Sequence, residues 1–239
     1  VNVTVRSTQP SSISGGNITV CEGSTFTLTA TGGTMGGNAI YEWGTGYSAG
    51  INTIAGQNSA TLTTTAATTG GYWVRRVDGN PCNVSTGHTT TTITVNSSST
   101  APTGISGVTS LCSGTGGTTL TATGGTTGSN GRFQWGTGSI VGSNILSGQN
   151  NASLYINPTT TTTYWVRRQD LTPCNSVTSG VVVTVTVETA PSQPTTISST
   201  STICLGQLVT LTASGGTMGT NSVFQWGTGA TVGNNIIAN

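Results

Sequence analysis

The chain has 239 residues, a formal net charge of +1 and a mean hydropathy of zero, and only 5% of its residues are charged. All its basic residues are Arg. A chain this close to neutral lacks the basic surface that binds nucleic acid or anionic membranes. No run of about 18 apolar residues occurs, so we predict no membrane insertion within this segment.

The chain opens on the strand-like alternation VNVTV and then repeats itself. The same pattern returns every 91 or 92 residues, as shown by the cysteines Cys21, Cys112 and Cys204 and by the tryptophans Trp43, Trp135 and Trp226. A fixed period of this kind indicates a tandem array of structural units.

The repeat predicts the domain boundaries. Residues 1–8 are predicted to be the last strand of a preceding repeat, and residues 9–100 and 101–192 to be complete repeats. Residues 193–239 are predicted to be the first half of a further repeat, and we expect the chain to be a window of a longer protein.

Each repeat contains short segments with a period of two. In the first they read TFTLTA, AIYEW, ATLTTT, YWVRR and TTITV, separated by turns rich in Gly and Asn. Six or seven strands in about 90 residues predict an all-β fold of tandem immunoglobulin-like antiparallel β-sandwiches. The short, Pro-bearing links SSSTAPTG and ETAPSQP are expected to be semi-rigid.

The segments CEGSTFTLTATGG, YEWGTG and GGYWVRRVDGNPC resemble the Ig-like repeats of giant surface proteins in gliding bacteria of the Bacteroidota type. The resemblance covers the whole chain. It implies type IX export to the cell surface and a role in adhesion or gliding motility.

The Ig pattern also assigns core positions. Trp43 fits the core tryptophan, Tyr72 the tyrosine corner, and Ala30 and Val74 the two slots that usually hold the core cysteines. The second repeat matches with Ala122, Trp135, Tyr164 and Val166. We therefore expect apolar side chains in place of a core disulfide.

The five cysteines lie elsewhere, at Cys21, Cys82, Cys112, Cys174 and Cys204. A bridge within one repeat would join opposite ends of a sandwich, although a disulfide needs Cα atoms within about 7 Å. We therefore prefer Cys21–Cys174, across the joint between two repeats. The pairs Cys21–Cys82 and Cys112–Cys174 stay open as alternatives. A metal site is disfavoured because no CxxC pair occurs.

Strand alternation points a set of large side chains away from the core. In the first repeat, Glu42 could pair with Arg75 on this face. The strip could stack on sugars or contact a partner, but a cation–π contact of Arg75 with Trp73 that shields the sheet is the simpler interpretation. The candidate contact residues are Trp73, Arg75, Glu42, Trp165, Arg167, Gln134 and Gln225.

Two further pairs, Arg76 with Asp78 and Arg168 with Asp170, are expected to form local ion pairs near the turns. The carboxylates are too scattered for an acid–base pair or a calcium site, so we expect no enzyme activity and no cofactor.

The prediction for function is a structural stalk or filament segment of an extracellular, cell-surface adhesin. Its partners would be adjacent repeats of the same chain, and surface polysaccharide or other filament chains are further candidates. The alternatives are repeated carbohydrate-binding modules, or an accessory Ig-like region of a secreted hydrolase.

Overall fold

The computed structural model describes residues 3–200 and 202–237, and in that part the chain forms strands and no helix. The strands are β1 (Ser12–Ser14), β2 (Ile18–Cys21), β3 (Thr25–Thr31), β4 (Ala39–Thr45), β5 (Thr61–Thr65), β6 (Gly70–Asp78), β7 (Ser85–Asn96), β8 (Gly104–Ser106), β9 (Ser110–Cys112), β10 (Thr118–Thr123), β11 (Gly131–Thr137), β12 (Ser153–Ile156), β13 (Thr162–Asp170), β14 (Val177–Glu188), β15 (Thr196–Ser198), β16 (Thr212–Ser214), β17 (Trp226–Gly227) and β18 (Ile236–Ile237).

The first seven strands form two sheets, ordered β1-β3-β5 and β2-β7-β6-β4. All pairs are antiparallel except β2 with β7, which is parallel. In β3 the alternation is complete, because Phe26, Leu28 and Ala30 are buried while the threonines between them lie toward solvent. They share one core cluster with Trp43 and Val74. The predicted Ig-like sandwich is confirmed.

The next seven strands repeat this order, with sheets β12-β10-β8 and β11-β13-β14-β9. Again one pair, β9 with β14, is parallel. Leu120, Trp135, Val166 and Val185 are fully buried. The apolar residues Val74 and Val166 occupy the positions where an Ig core usually has its second cysteine, as the Ig pattern predicts.

The last four strands form only two small sheets, β15-β16 and β17-β18. Ile197, Ile236 and Ile237 of these strands are exposed, and the loop residues Leu205, Leu208 and Val232 are almost fully exposed. Among the described residues of this segment none is buried, so the two small sheets do not enclose a core there.

The chain divides into two compact units that do not coincide with the predicted repeats. The first takes the chain up to Thr103 together with Gly124–Gln134 and Arg167–Gly180. The second takes Gly104–Thr123, Trp135–Val166 and the chain from Val181 onward. The first unit therefore includes three stretches of the second predicted repeat, which are residues 101–103, 124–134 and 167–180. Residues 3–8 form no strand, and the repeat boundaries stay predictions.

Candidate functional site

A disulfide joins Cys21 to Cys174 inside the first compact unit. Cys21 ends strand β2, and Cys174 lies in the turn between β13 and β14. Their Cα atoms are 4.9 Å apart, although 153 residues separate them in sequence. This is the pair that we preferred from the repeat geometry, and neither alternative pair forms.

The disulfide lies against the linker between the repeats. Strand β2 runs parallel to β7, with Cys21 opposite Asn96, the residue before the linker. The Ser98 hydroxyl is 3.3 Å from the sulfur of Cys21 and 3.8 Å from that of Cys174. Because disulfide sulfurs carry no hydrogen, the hydroxyl is the donor.

Asp170, at the end of β13, holds the next linker residue. Its carboxylate accepts the Ser99 N–H at 2.9 Å, the Ser99 hydroxyl, and the Ser176 hydroxyl at 2.9 Å. Burial raises the pKa of Asp170, but these hydrogen bonds outweigh burial and hold the pKa below its ordinary value. The carboxylate therefore stays ionised and bonded to the linker at neutral pH.

Arg168 also binds the linker through hydrogen bonds. Its guanidinium donates to the carbonyl oxygens of Thr100 at 2.6 Å and Gly124 at 2.8 Å, and to the Thr127 hydroxyl at 3.1 Å. It also lies over the Phe133 ring, 4.7 Å from the centroid. Burial lowers the pKa of Arg168, but the guanidinium stays charged at neutral pH.

The linker residues also bond to the loop after β10. Thr100 N–H donates to the Thr126 carbonyl at 2.9 Å, and the Thr126 N–H donates to the Thr100 hydroxyl at 2.7 Å. We call residues 97–100, the loop 124–130, Arg168 and Asp170 the linker clamp. Every part of it lies in the first unit.

The same clamp forms one repeat earlier, around residues 7 and 8. Asp78 accepts the Ser7 N–H at 3.0 Å and the Ser7 hydroxyl, and these bonds lower the pKa of Asp78. Arg76 donates to the Thr8 carbonyl at 2.6 Å and to the Tyr41 hydroxyl at 3.0 Å. Part of the clamp recurs in the second unit, where Ser192 and Thr217 exchange hydrogen bonds.

The local ion pairs predicted for these residues are wrong. Arg76 is 3% exposed and Asp78 5% exposed, and each binds different groups. A buried charge needs several hydrogen bonds, and the linker supplies backbone carbonyls for the Arg and N–H and hydroxyl donors for the Asp. Recurrence of Arg, Asp and a Ser-Thr pair at one period was the signal that could have revealed the clamp.

The contact role considered for the strip is wrong for its two tryptophans, and the simpler interpretation, in which Arg75 stacks on Trp73 and shields the sheet, agrees with the structure. Trp73 and Trp165 lie on the outer face of their sheets, as alternation predicts, but both have zero exposure. The loop between β4 and β5 covers Trp73, and the loop between β11 and β12 covers Trp165. The Trp73 indole N–H donates to the Ile51 carbonyl at 3.1 Å, and the Trp165 N–H to the Ser143 carbonyl at 2.8 Å. Neither ring can therefore stack on a sugar.

In the first repeat the strip contributes to covering the Trp73 ring. Arg75 lies over Trp73, 5.7 Å from the ring centroid, and pairs with the Glu42 carboxylate directly across the strands. In the second repeat Arg167 donates to the Gln134 side chain at 2.7 Å. Gln225 is exposed in the last segment, where the described residues include no counterpart of β6.

Residues 101–189 match a protein family described as a domain of unknown function (DUF8696). No curated protein matches the chain. In the described part no helix is long and apolar enough to cross a membrane, and no group of three or more His, Cys, Asp or Glu could hold a metal.

Among solved structures, the chain is similar to the I-band fragment I67-I69 from titin, with 13% identity over 75% of this chain and 66% of that one, at a TM-score of 0.49. It is also similar to the amphioxus IgVJ-C2 molecule, with 14% identity over 70% and 99% of the two chains and a TM-score of 0.40. Rst D1-D2 gives 14% identity over 72% and 94%, at 0.42. The chain spans about two thirds of the titin fragment. The strand order and register of this chain itself define its fold.

Proposed function

We propose that this chain is a load-bearing structural segment of an extracellular stalk or filament. The observation that carries the proposal is the Cys21–Cys174 disulfide, which closes 153 residues into a covalent loop at the joint of two repeats. Disulfides persist in oxidising compartments, which supports an extracellular location. The linker clamp supports the same role, because it removes freedom from the residues that would otherwise act as a hinge.

The disulfide changes the path of tension through the chain. A force applied at the two termini enters through the residues before Cys21, crosses the sulfur bridge and leaves through the residues after Cys174. Strands β3 to β13 lie inside the closed loop and carry no load once the chain on either side is taut. Strands β1, β2 and β14 lie outside the loop and stay in the load path, whereas a covalent bond shields the strands between the two cysteines from tension.

Single-molecule pulling of the intact chain from its termini tests this role. The fully extended chain is expected to be shorter under oxidising than under reducing conditions by the length of 153 residues. At about 3.3–3.6 Å per residue this is roughly 500–550 Å. Cys21→Ser should show the longer length under both conditions, and Cys82→Ser should behave like the unchanged chain. Equal lengths in the two redox states would contradict the proposal.

The family resemblance supports a finer proposal, in which the stalk belongs to a giant adhesin of a gliding bacterium exported by the type IX route. Immunolabelling of intact cells that carry the gene tests surface location, and gliding and attachment assays on a deletion strain test the role. Labelling only after lysis, or unchanged gliding and attachment, would remove this part of the proposal.

The carbohydrate-binding alternative depended on exposed tryptophans, and Trp73 and Trp165 are buried. An accessory region of a secreted hydrolase stays a prediction that the full gene tests. In such a hydrolase the disulfide and the linker clamp would have the same effect, because a spacer between a catalytic domain and a surface is also held at a fixed distance by a stiff linker.

A further inference from the structure

Three cysteines of the described chain are free, and one of them, Cys82, lies in the same setting as the bonded Cys174. Cys174 follows β13 and Cys82 follows β6, the equivalent strand. The Cys174 N–H donates to the Leu171 carbonyl at 3.1 Å, and the Cys82 N–H donates to the Gly79 carbonyl at 3.0 Å. Cys82 is half-buried. It lies four residues after Asp78, whose carboxylate binds Ser7 in the first clamp.

Cys112 lies in the same setting as Cys21. Each ends a short strand that runs parallel to the last strand of its repeat. The Cys21 carbonyl accepts the N–H and the hydroxyl of Ser24 at 3.1 and 2.6 Å, and the Cys112 carbonyl accepts those of Thr115 at 3.2 and 2.8 Å. Cys112 is exposed.

We propose that Cys82 and Cys112 are the two complementary halves of a further disulfide of the Cys21–Cys174 type, each made with another repeat of this pattern. The partner of Cys82 is a repeat that presents a cysteine at the end of its second strand, as Cys112 does. The partner of Cys112 is a repeat that presents one after its sixth strand, as Cys82 does. Cys204 lies in no strand but shares the turn hydrogen bond of Cys112, because its carbonyl accepts the Gln207 N–H at 3.1 Å. The inference rests on the proposed stalk function, and it names the neighbouring repeat of the stalk as the partner of each cysteine.

Disulfide formation needs an oxidant, which glutathione disulfide supplies. The thiolate of one cysteine attacks it and releases one glutathione, and the second cysteine attacks the mixed disulfide and releases the other. The cysteine pair loses two electrons and two protons, and glutathione disulfide becomes two glutathione molecules. Cys112 lies between Cys21 and Cys174 in sequence, inside the loop that this disulfide closes. A disulfide from Cys112 to a later repeat would therefore close a second loop that overlaps the first.

The test uses the full chain with residues 9–192 duplicated in tandem after Ser192. The new junction joins Ser192 to Gln9-Pro10, the same dipeptide that follows Ser192 in the original chain, Gln193-Pro194. It brings Cys112 of the upstream copy and Cys82 of the downstream copy to a joint of the Cys21–Cys174 type. After oxidation by glutathione disulfide, alkylation and peptide mapping should recover a Cys82–Cys112 linked peptide. The duplicated chain, with four more cysteines, should keep the same number of alkylatable thiols as the original.

Two controls make the outcome specific. Cys112→Ser in the upstream copy should leave the downstream Cys82 open to alkylation. Ala55→Cys places a thiol in the exposed loop between β4 and β5 and should not be found linked to Cys82. If Cys82 and Cys112 of the new joint both stay alkylatable, or if Cys82 links equally well to the introduced thiol, the inference is overturned. The pulling experiment on the original chain is unaffected by that result, so failure of the stalk function is seen separately.

Discussion

The two clamps of the first compact unit are nearly identical in hydrogen bonding but differ in covalent closure. Asp78 and Asp170 each hold a serine of the linker, and Arg76 and Arg168 each hold the carbonyl of the threonine that follows. Only the second clamp is next to a disulfide. The hydrogen-bonded clamp forms in full around residues 7 and 8 and around residues 97–100, whereas the disulfide forms only at the second of these positions, where Cys21 is within reach of Cys174.

This difference separates two ways of stiffening a joint. Hydrogen bonds from buried charged groups fix the path of the linker and break and reform with local fluctuations. The disulfide adds a link that survives unfolding of either sandwich.

Removing the disulfide should make the second joint resemble the first. We expect Cys174→Ser to lower the free energy of unfolding of the oxidised chain by about 2–4 kcal/mol, because the unfolded chain is no longer cross-linked. Guanidinium denaturation measures the loss. Cys82→Ser, at the equivalent unbonded position, should change stability by less than about 0.5 kcal/mol. Equal effects of the two substitutions would show that the disulfide adds nothing to the joint.

Breaking the carboxylate contact should weaken either joint. We expect Asp170→Asn to cost about 1.5–3 kcal/mol in the free energy of unfolding, because charged hydrogen bonds to Ser99 and Ser176 are lost in a buried position. Hydrogen exchange at the Ser99 amide would report the same loss locally. A double-mutant cycle with Cys174→Ser measures whether clamp and disulfide act together. Additive effects would mean that they hold the linker independently.

The sandwiches, unlike the joints, should respond equally to the same change. A Cβ added at Gly44 would lie 2.3 Å from the Trp73 ring, and one at Gly136 would lie 2.2 Å from the Trp165 ring. We expect Gly44→Ala and Gly136→Ala each to cost about 1–3 kcal/mol through overpacking, measured by denaturation. Gly70→Ala is the control, since its nearest neighbour would be 4.0 Å away. A large cost at only one of the two repeats would contradict their equivalence.

The smallest effect concerns acid. Hydrogen bonds hold the pKa of Asp170 below its ordinary value of about 4, so the unfolded chain takes up the proton first as the pH falls. Its contribution to stability is complete at neutral pH and is lost progressively below about pH 4. The difference in unfolding free energy between the unchanged chain and Asp170→Asn should therefore shrink between pH 5 and pH 3. A constant difference over that range would contradict the assignment.

Much of the fold could be predicted because strands leave a period of two and repeats leave a period of 92. The core positions Trp43 and Val74 follow once the Ig strand pattern is laid on those periods, and the preference for Cys21–Cys174 follows from the strand directions of that pattern. The burial of Trp73 could not be predicted. Alternation tells which face a side chain lies on, but the loop that covers this face has no alternation of its own, and the contact of Trp73 with Ile51 depends on the path of that loop.

The sequence by itself determined the fold class, the period and the residue types that recur in each repeat, because these depend on local propensity and spacing. Only the tertiary structure decided what those residues contact. Arg168 and Asp170 could have paired with each other, two residues apart, but the chain turns them toward linker residues about 70 positions away. Such long-range contacts are set by how the sheets pack, since a buried charge binds the polar groups that the folded chain brings within reach.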